Sequence, residues 1–474
     1  MWRTLAIAAG IGALTTACAQ AAEPPEFSPA VRLAAQGGTE PRVTVAPNGH
    51  RFVVTNDSSG AVVYRSVDEG LTWKKTETDI PNQLSASIDT DVIALPNGRI
   101  LASELDSDGL NFPSAVSDDE GKTWTSSIGS NTLIDQDRQY FASGPAPAGG
   151  GQAPVYLAFH NLYSGLVSHN VYVAKSTDGG ATFGVPIPVT LPGSEAFTDL
   201  QCGDGYQSGI DVNPKTGRIY VFFITRTAAV GGGCAASPMQ VNIIGATRIW
   251  VASSPDGSPG SWTNSLAVDD SATGQVVSMQ LSDGRVDRQG GVWITYPESP
   301  NAYPNYDGAA IKAVHADAAL SGWSAPITLA PAGGPGAILT NTAVGDAGKL
   351  AVAYERGEPG PTGKPVWRTH VLQTLNALDA HPDVTDTEIS PVVAYIGTAS
   401  ELEGACSAAG PAQGLENGLA CSRAPDLFGV AIDSECRLTV AWTARTNALT
   451  PAAKAGTYAS QQTGGPALCA TPSG

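Results

Sequence analysis

Tyr64 to Trp73 reads YRSVDEGLTW. It sets Ser66, Asp68, Gly70, Thr72 and Trp73 at fixed offsets, and two close copies follow: VSDDEGKTW ending at Trp124 and KSTDGGATF ending at Phe183. A broken fourth copy, SSPDGSPGSW, ends at Trp262, and a remnant, HADAALSGW, ends at Trp323. Each copy reads as a tight turn. The Asp accepts hydrogen bonds from turn N–H groups, the Gly takes the left-handed backbone, and the Ser and Thr hydroxyls tie the loop. The closing Trp or Phe packs into the sheet.

Working outward, each turn belongs to a longer unit. VTVAPNGHRFVV and DVIALPNGRILA each place Asn-Gly between two β-rich runs, which is a hairpin signal. Five further hairpin units lie in QYFASGPAPAGGGQAPVYLAF, GIDVNPKTGRIYVFF, VVSMQLSDGRVDRQGGVWITY, LTNTAVGDAGKLAVAY and LFGVAIDSECRLTVAW. The unit recurs roughly every 50–60 residues, a period that points to a propeller or an array. Such sheets cannot bury both faces alone, and radial stacking solves this while leaving only short edges. The expected fold is all-β: a β-propeller of four-stranded blades, seven by count, with six as the alternative. The last unit supplies three strands, and the N-terminal FSPAVRLAA is the natural fourth.

Composition agrees. The chain has 474 residues, 42% hydrophobic and 15% charged, with 54 Gly and 34 Pro, which fits many short strands and turns. Its formal charge of −18 argues against a nucleic-acid partner, because phosphate binding needs basic patches. The first 21 residues read as a secretory signal, too short for a lasting membrane span. Cleavage after Ala21 is one route; a lipoprotein signal over 1–17, with Cys18 carrying the lipid anchor, is the other. Residues 22–474 then form one propeller domain. The protein is expected to be exported, as a periplasmic, outer-membrane-anchored or secreted monomer. Six cysteines remain, an even number that suggests disulfides in an exported chain. The blade layout pairs Cys436 with Cys469, Cys202 with Cys234, and Cys406 with Cys421.

The S-x-D-x-G-x-T-W pattern resembles the Asp-box, or BNR, repeat, and the chain resembles the bacterial sialidase superfamily. The resemblance implies that Asp68, Asp119, Asp178 and Asp256 are structural and lie on the rim away from the active site. It also implies an exo-acting, retaining glycoside hydrolase for an anionic glycan. Such a site needs arginines that grip a sugar carboxylate, a Tyr–Glu nucleophile pair and an Asp acid. Carried over by position, these are Arg42, Arg226 and Arg356 for the carboxylate, Tyr354 with Glu355, and Asp57. Val43-Thr44 stands where the family has Ile-Pro after its first arginine, and a second arginine near Asp57 is missing. Tyr354 and Glu355 are neighbours on a strand and should face opposite ways.

Other groups fall on the same rim by their place in the unit. IDQDRQYF offers Asp137 and Arg138, QCGDGYQ offers Asp204 and Tyr206, and CSRAPDLFG offers Arg423 and Asp426. ITYPESPNAYPNYDG offers Tyr296, Glu298, Tyr303 and Tyr306, a set suited to stacking on sugar faces. No cofactor is expected. Glu104, Asp106 and Asp108 have the hard oxygen ligands of a Ca²⁺ loop without full EF-hand spacing. His160 and His169 read as hydrogen-bonded loop residues. Two other functions fit the same fold: a non-catalytic propeller binding glycan or protein at the cell surface, and a polysaccharide lyase using Tyr with His or Arg.

Overall fold

The computed structural model describes residues 23–33, 40–57, 60–76, 86–106, 112–128, 136–161, 169–202, 206–227, 246–277, 282–301, 307–390, 392–398, 429–444 and 456–470. The expected signal, Cys18, Asp108, Asp204, Cys234, Tyr303, Tyr306, Cys406, Cys421, Arg423 and Asp426 lie outside them. So do the side chains of Asp57 and Asp106.

The chain folds as seven antiparallel blades closed into a ring, so the six-blade alternative is set aside. Blade one is Arg42–Val45, Arg51–Asp57, Gly60–Ser66 and Lys74–Lys75; blade two is Ala86–Ala94, Ile100–Asp106, Pro113–Ser117 and Thr125–Ile128. Blade three is Gln136–Ser143, Val155–Asn161, Val171–Ser176 and Ile187–Pro188; blade four is Tyr206–Val212, Ile219–Thr225, Arg248–Ser254 and Thr263–Asp269. Blade five is Asp283–Val286, Val292–Glu298, Ala310–Ala316 and Ile327–Ala330; blade six is Ala337–Val344, Leu350–Glu358, Val366–Thr374 and Val384–Glu388. Blade seven is Gly429–Ile432, Leu438–Ala444 and Gly456–Gly464, completed by Glu26–Phe27 and Val31–Arg32 from the N-terminus. A short helix, Glu195–Leu200, capped by Ser194, enters blade four.

Local sequence sets the first hairpins. In Ala46-Pro47-Asn48-Gly49, Gly49 takes φ 84° and its N–H returns to Ala46 at 2.8 Å, so Val45 pairs with Arg51. The second strands are largely buried, and in IYVFFIT of blade four every residue is. Burying Phe222 and Phe223 there contributes about 2–3 kcal/mol each. Polar side chains close the ring between blades one and seven. Arg51 donates to Thr439 at 2.9 Å and to Asp433 at 3.1 Å, and Thr55 meets Thr457 at 2.8 Å. Cys436 and Cys469 are bonded, which fastens the C-terminal segment to blade seven, and Cys202 is also disulfide-bonded.

The repeated turns do what their residues dictate. Asp68 accepts from the Thr72 N–H at 2.9 Å and from the Ser66 hydroxyl at 2.8 Å; the Gly70 N–H donates to Ser66 at 2.8 Å. Asp119 and Asp178 repeat the pattern with Ser117 and Thr123, and with Ser176 and Thr182. Asp256 keeps a reduced form through Ser258. Asp317, in the remnant, still accepts from the N–H groups of Ala319 and Ser321, each at 3.0 Å. These turns also stitch blades: Arg99 of blade two donates to the Asp178 carbonyl at 3.0 Å.

In a four-stranded meander, hairpins between strands one and two share a rim with the turns between strands three and four. The starts of the first strands and the ends of the second strands lie on the opposite rim.

Candidate active site

On that opposite rim the first strands of blades two, three, four and six lose register. The shifts fall between Ala86 and Thr90, Asp137 and Tyr140, Gln207 and Gly209, and Ile338 and Thr340. A bulge bends its strand and re-aims the side chains around it. At two of these bulges a non-glycine residue takes the left-handed backbone, Arg138 at φ 55° and Leu339 at φ 56°. Each costs about 1–3 kcal/mol and persists only because its surroundings hold it.

Blades two, three and four bring a polar group together at these bulges. His160, near the end of the second strand of blade three, is wholly buried. Its ring meets Tyr206 edge to face at 4.5 Å and lies 5.8 Å from His169. Its Nε2 stands 3.7 Å from Asp137. The Asp137 carboxylate accepts from the Arg138 N–H at 3.0 Å, and the Arg138 guanidinium lies 3.8 Å from Asp89. Gln139 donates to the Asp89 carbonyl at 3.0 Å. Burial, then the negative charge of Asp89, pushes the Asp137 carboxyl up to about 7. Burial, with the charges of His169 and Arg138, holds His160 well below the ordinary histidine value, so it is neutral at pH 7. Among the described residues, neither His160 nitrogen has a hydrogen-bond partner, nor do the Tyr140 hydroxyl, the Gln139 carbonyl and the Gln207 amide. Buried polar atoms of this kind are normally bonded, so these five groups set this cluster apart from the rest of the rim.

Beneath them the axis holds a cavity of about 230 Å³ lined by Arg42, Asp91, Tyr140, Asp211 and Arg285. Arg42 donates to Asp91 at 3.3 Å and lies over the Tyr140 ring at 4.9 Å. The aspartates here are largely structural. Asp91 accepts from Phe141 N–H at 2.6 Å, Asp211 from Val286 at 2.8 Å and Asp283 from Thr342 at 2.6 Å, each joining one blade to the next.

The sequence-expected residues divide. Arg42 opens the first strand of blade one and Arg138 lies at the bulge in the first strand of blade three, so both stand on the axial rim. Arg226 follows the second strand of blade four on that rim, half-buried. Tyr354 instead packs with Trp293, Ile311 and Leu329, in the cluster joining blades five and six. Its hydroxyl donates to Asp386 on the outermost strand at 2.9 Å, where Arg356 and His370 also bind. Glu355 faces the other side of the strand; it accepts from Thr369 at 2.8 Å, and burial pushes its carboxyl up to about 8. Tyr296 is buried beside Glu298 and Asp270 and has no hydroxyl partner among the described residues. Burial and the Glu298 charge raise Asp270 to about 6. Glu104 accepts from the Ala61 N–H at 3.1 Å.

One expectation changes. His160 is a strand residue with unbonded nitrogens, not a hydrogen-bonded loop residue. Asp89 and Gln207 were not anticipated. The only sequence signal for them is a break in the two-residue alternation at each bulge. Among the described residues, no group of three His, Cys, Asp or Glu side chains is placed to hold a metal.

Residues 41–305 match the BNR repeat-like domain family. No curated protein matches the sequence. Among solved structures, the chain is similar to an ulvan lyase of polysaccharide lyase family PL25, bound to GlcA(1-4)Rha3S: 11% identity, 92% of this chain, 95% of that one, TM-score 0.53. It is similar to polysaccharide lyase Uly1 at 10% identity, over 94% of this chain and 93% of that one, with TM-score 0.51. An α-L-arabinofuranosidase from Fusarium graminearum aligns at 14% identity over 73% of this chain and 98% of that one, with TM-score 0.46. Likenesses at this level of identity speak to the propeller fold alone.

Proposed function

The chain belongs to the BNR repeat-like domain family, and from that premise we propose that it is an exported enzyme cleaving an anionic glycan at the rim shared by blades two to four. The observation that carries the reading is the neutral, unbonded His160 set against Tyr206 and beside the raised carboxyl of Asp137. A fold alone assigns no activity, so the chemistry rests on these residues.

The group suits eliminative cleavage at a uronate. There a base takes the C5 proton, the C5–H electron pair forms the C4–C5 double bond, the C4–O bond breaks, and the leaving oxygen takes a proton. Neutral His160 is the base. Asp137, whose carboxyl burial and the Asp89 charge push well above the ordinary carboxylate range, is the donor. Tyr206 orients the imidazole. Arg138, with Arg226 on the adjoining blade, meets the sugar carboxylate, whose neutralisation acidifies the C5 proton. The polysaccharide lyases among the similar structures show only that a propeller of this shape can carry such chemistry.

Retaining hydrolysis of a sialoside would instead use Tyr354, Glu355 and Asp57. The Tyr354 hydroxyl is engaged with Asp386, and Glu355 lies across the strand from it. Those two groups would have to leave their partners to act on one sugar carbon, so elimination is preferred.

The test is to offer purified protein a glucuronate-bearing sulfated polysaccharide and, separately, a fluorogenic sialoside. Turnover of the first that is lost in His160→Gln supports the proposal. Turnover of the sialoside that is lost in Tyr354→Phe would replace it, and binding of either without turnover would make the protein a glycan-binding propeller. Export is tested by cell fractionation, with Cys18→Ser releasing the protein from the membrane if Cys18 carries a lipid.

A further inference from the structure

We propose that a basic cavity between blades one and two, on the rim with the repeated turns, anchors a strand of the same polyanionic glycan away from the candidate active site. The proposal rests on the anionic-glycan reading above and adds a second site to it.

The cavity measures about 360 Å³ and gathers Arg65, Lys74, Lys75 and Lys122 against one carboxylate, Glu120. That carboxylate is occupied from within. Arg65 pairs with it, His50 lies 3.3 Å away, and Asn48 donates to it. Lys74, Lys75 and Lys122 are exposed, and Val67 in the wall is 59% exposed, offering an apolar face for a sugar ring. The concentration matters because the chain carries a formal charge of −18. A polyanion is repelled by such a surface at long range. Screening over about 8–10 Å at physiological salt lets a local basic patch still hold it.

Lysines on a short edge strand have a simpler use, since they block pairing with a second sheet. That accounts for Lys74 and Lys75, the whole fourth strand of blade one. It does not account for Lys122, which reaches the same cavity from the turn of blade two. Nor does it explain why Glu120, at φ 63° in that turn, is held by three partners on blade one. The two blades are fitted together so that the cavity is basic.

The test uses the full chain with dextran sulfate as the probe, in affinity electrophoresis at two salt concentrations. The variant is Lys74→Glu with Lys122→Glu; Lys74→Gln with Lys122→Gln is the milder control, and thermal melting checks the fold of both. The wild type should bind with salt-sensitive affinity, weakened roughly tenfold by charge reversal and less by the glutamines. Cleavage of a short soluble oligosaccharide should be unchanged while cleavage of the polymer slows. Wild-type affinity in the reversed variant overturns the anchor but leaves the enzyme reading standing. Lysine-dependent binding without cleavage of any glycan keeps a polyanion anchor and rejects the enzyme. Loss of binding to vesicles rich in phosphatidylglycerol, with dextran sulfate binding intact, makes the patch a membrane contact and overturns the proposal.

Discussion

The imidazole of His160 and the ring of Tyr206 meet at 4.5 Å with 64° between their planes. They come from different blades, the second strand of blade three and the first strand of blade four. The contact therefore sets the geometry of the candidate site and the seam between two blades together, and it fixes the imidazole without using either nitrogen.

His160→Gln should lower turnover by about 10²–10⁴, the usual worth of a positioned acid or base, while the protein stays folded. The pH profile of the wild type carries the sign. The base works only when neutral, so activity falls on the acid side below a value well under the ordinary 6.5. The donor works only when protonated, so activity falls on the alkaline side above about 7. A profile with no alkaline fall near neutrality would remove Asp137 from the role of donor.

Asp137→Asn should abolish the alkaline limb and also stabilise the fold. The carboxyl is raised to about 7 from an ordinary 3.8, so between those values the folded chain holds a proton that the unfolded chain has lost. Stability from this group is full below the unfolded value and is lost as pH rises to about 7. Asn removes that loss. Denaturant titrations at pH 5 and pH 8 should show a larger gain over wild type at pH 8.

Tyr354→Phe should leave turnover of the preferred glycan unchanged and cost about 0.5–1.5 kcal/mol of stability through the lost bond to Asp386. A large fall in kcat with unchanged stability would restore the tyrosine to the chemistry.

Asp68→Ala, on the rim away from the candidate site, should lower Tm without changing kcat measured below the transition. The hydrogen bonds from Thr72 and Ser66 hold the Asp68 carboxyl at about 2, below its ordinary 3.8. Its contribution is present above 3.8 and lost as pH falls through about 2, so wild type and variant should converge in acid.

The fold was legible because its signals are local. Asn48-Gly49 and Asn97-Gly98 each fix a hairpin within four residues, and Ser66 to Trp73 fixes a turn within eight. Counting such units yields seven blades, and the leftover Val31–Arg32 finds its place beside the strand that lacked a partner. The site was legible only in part. Arg42, Arg138 and Asp137 were placed on the rim by their position in the unit. The bulge at Arg138 decides which of Asp137, Arg138 and Gln139 turns toward the axis, and nothing in QDRQYF announces it. Tyr354 had the right place along its strand, but its direction is set by apolar packing against Trp293 on another blade.

The most direct measurement follows the products of a glucuronate-bearing polysaccharide treated with the wild-type protein. Each eliminative cut leaves one conjugated unsaturated uronate, so ultraviolet absorbance should rise in proportion to new reducing ends, and both should vanish in His160→Gln. New reducing ends without that absorbance, or cleavage that survives in His160→Gln, would contradict the account.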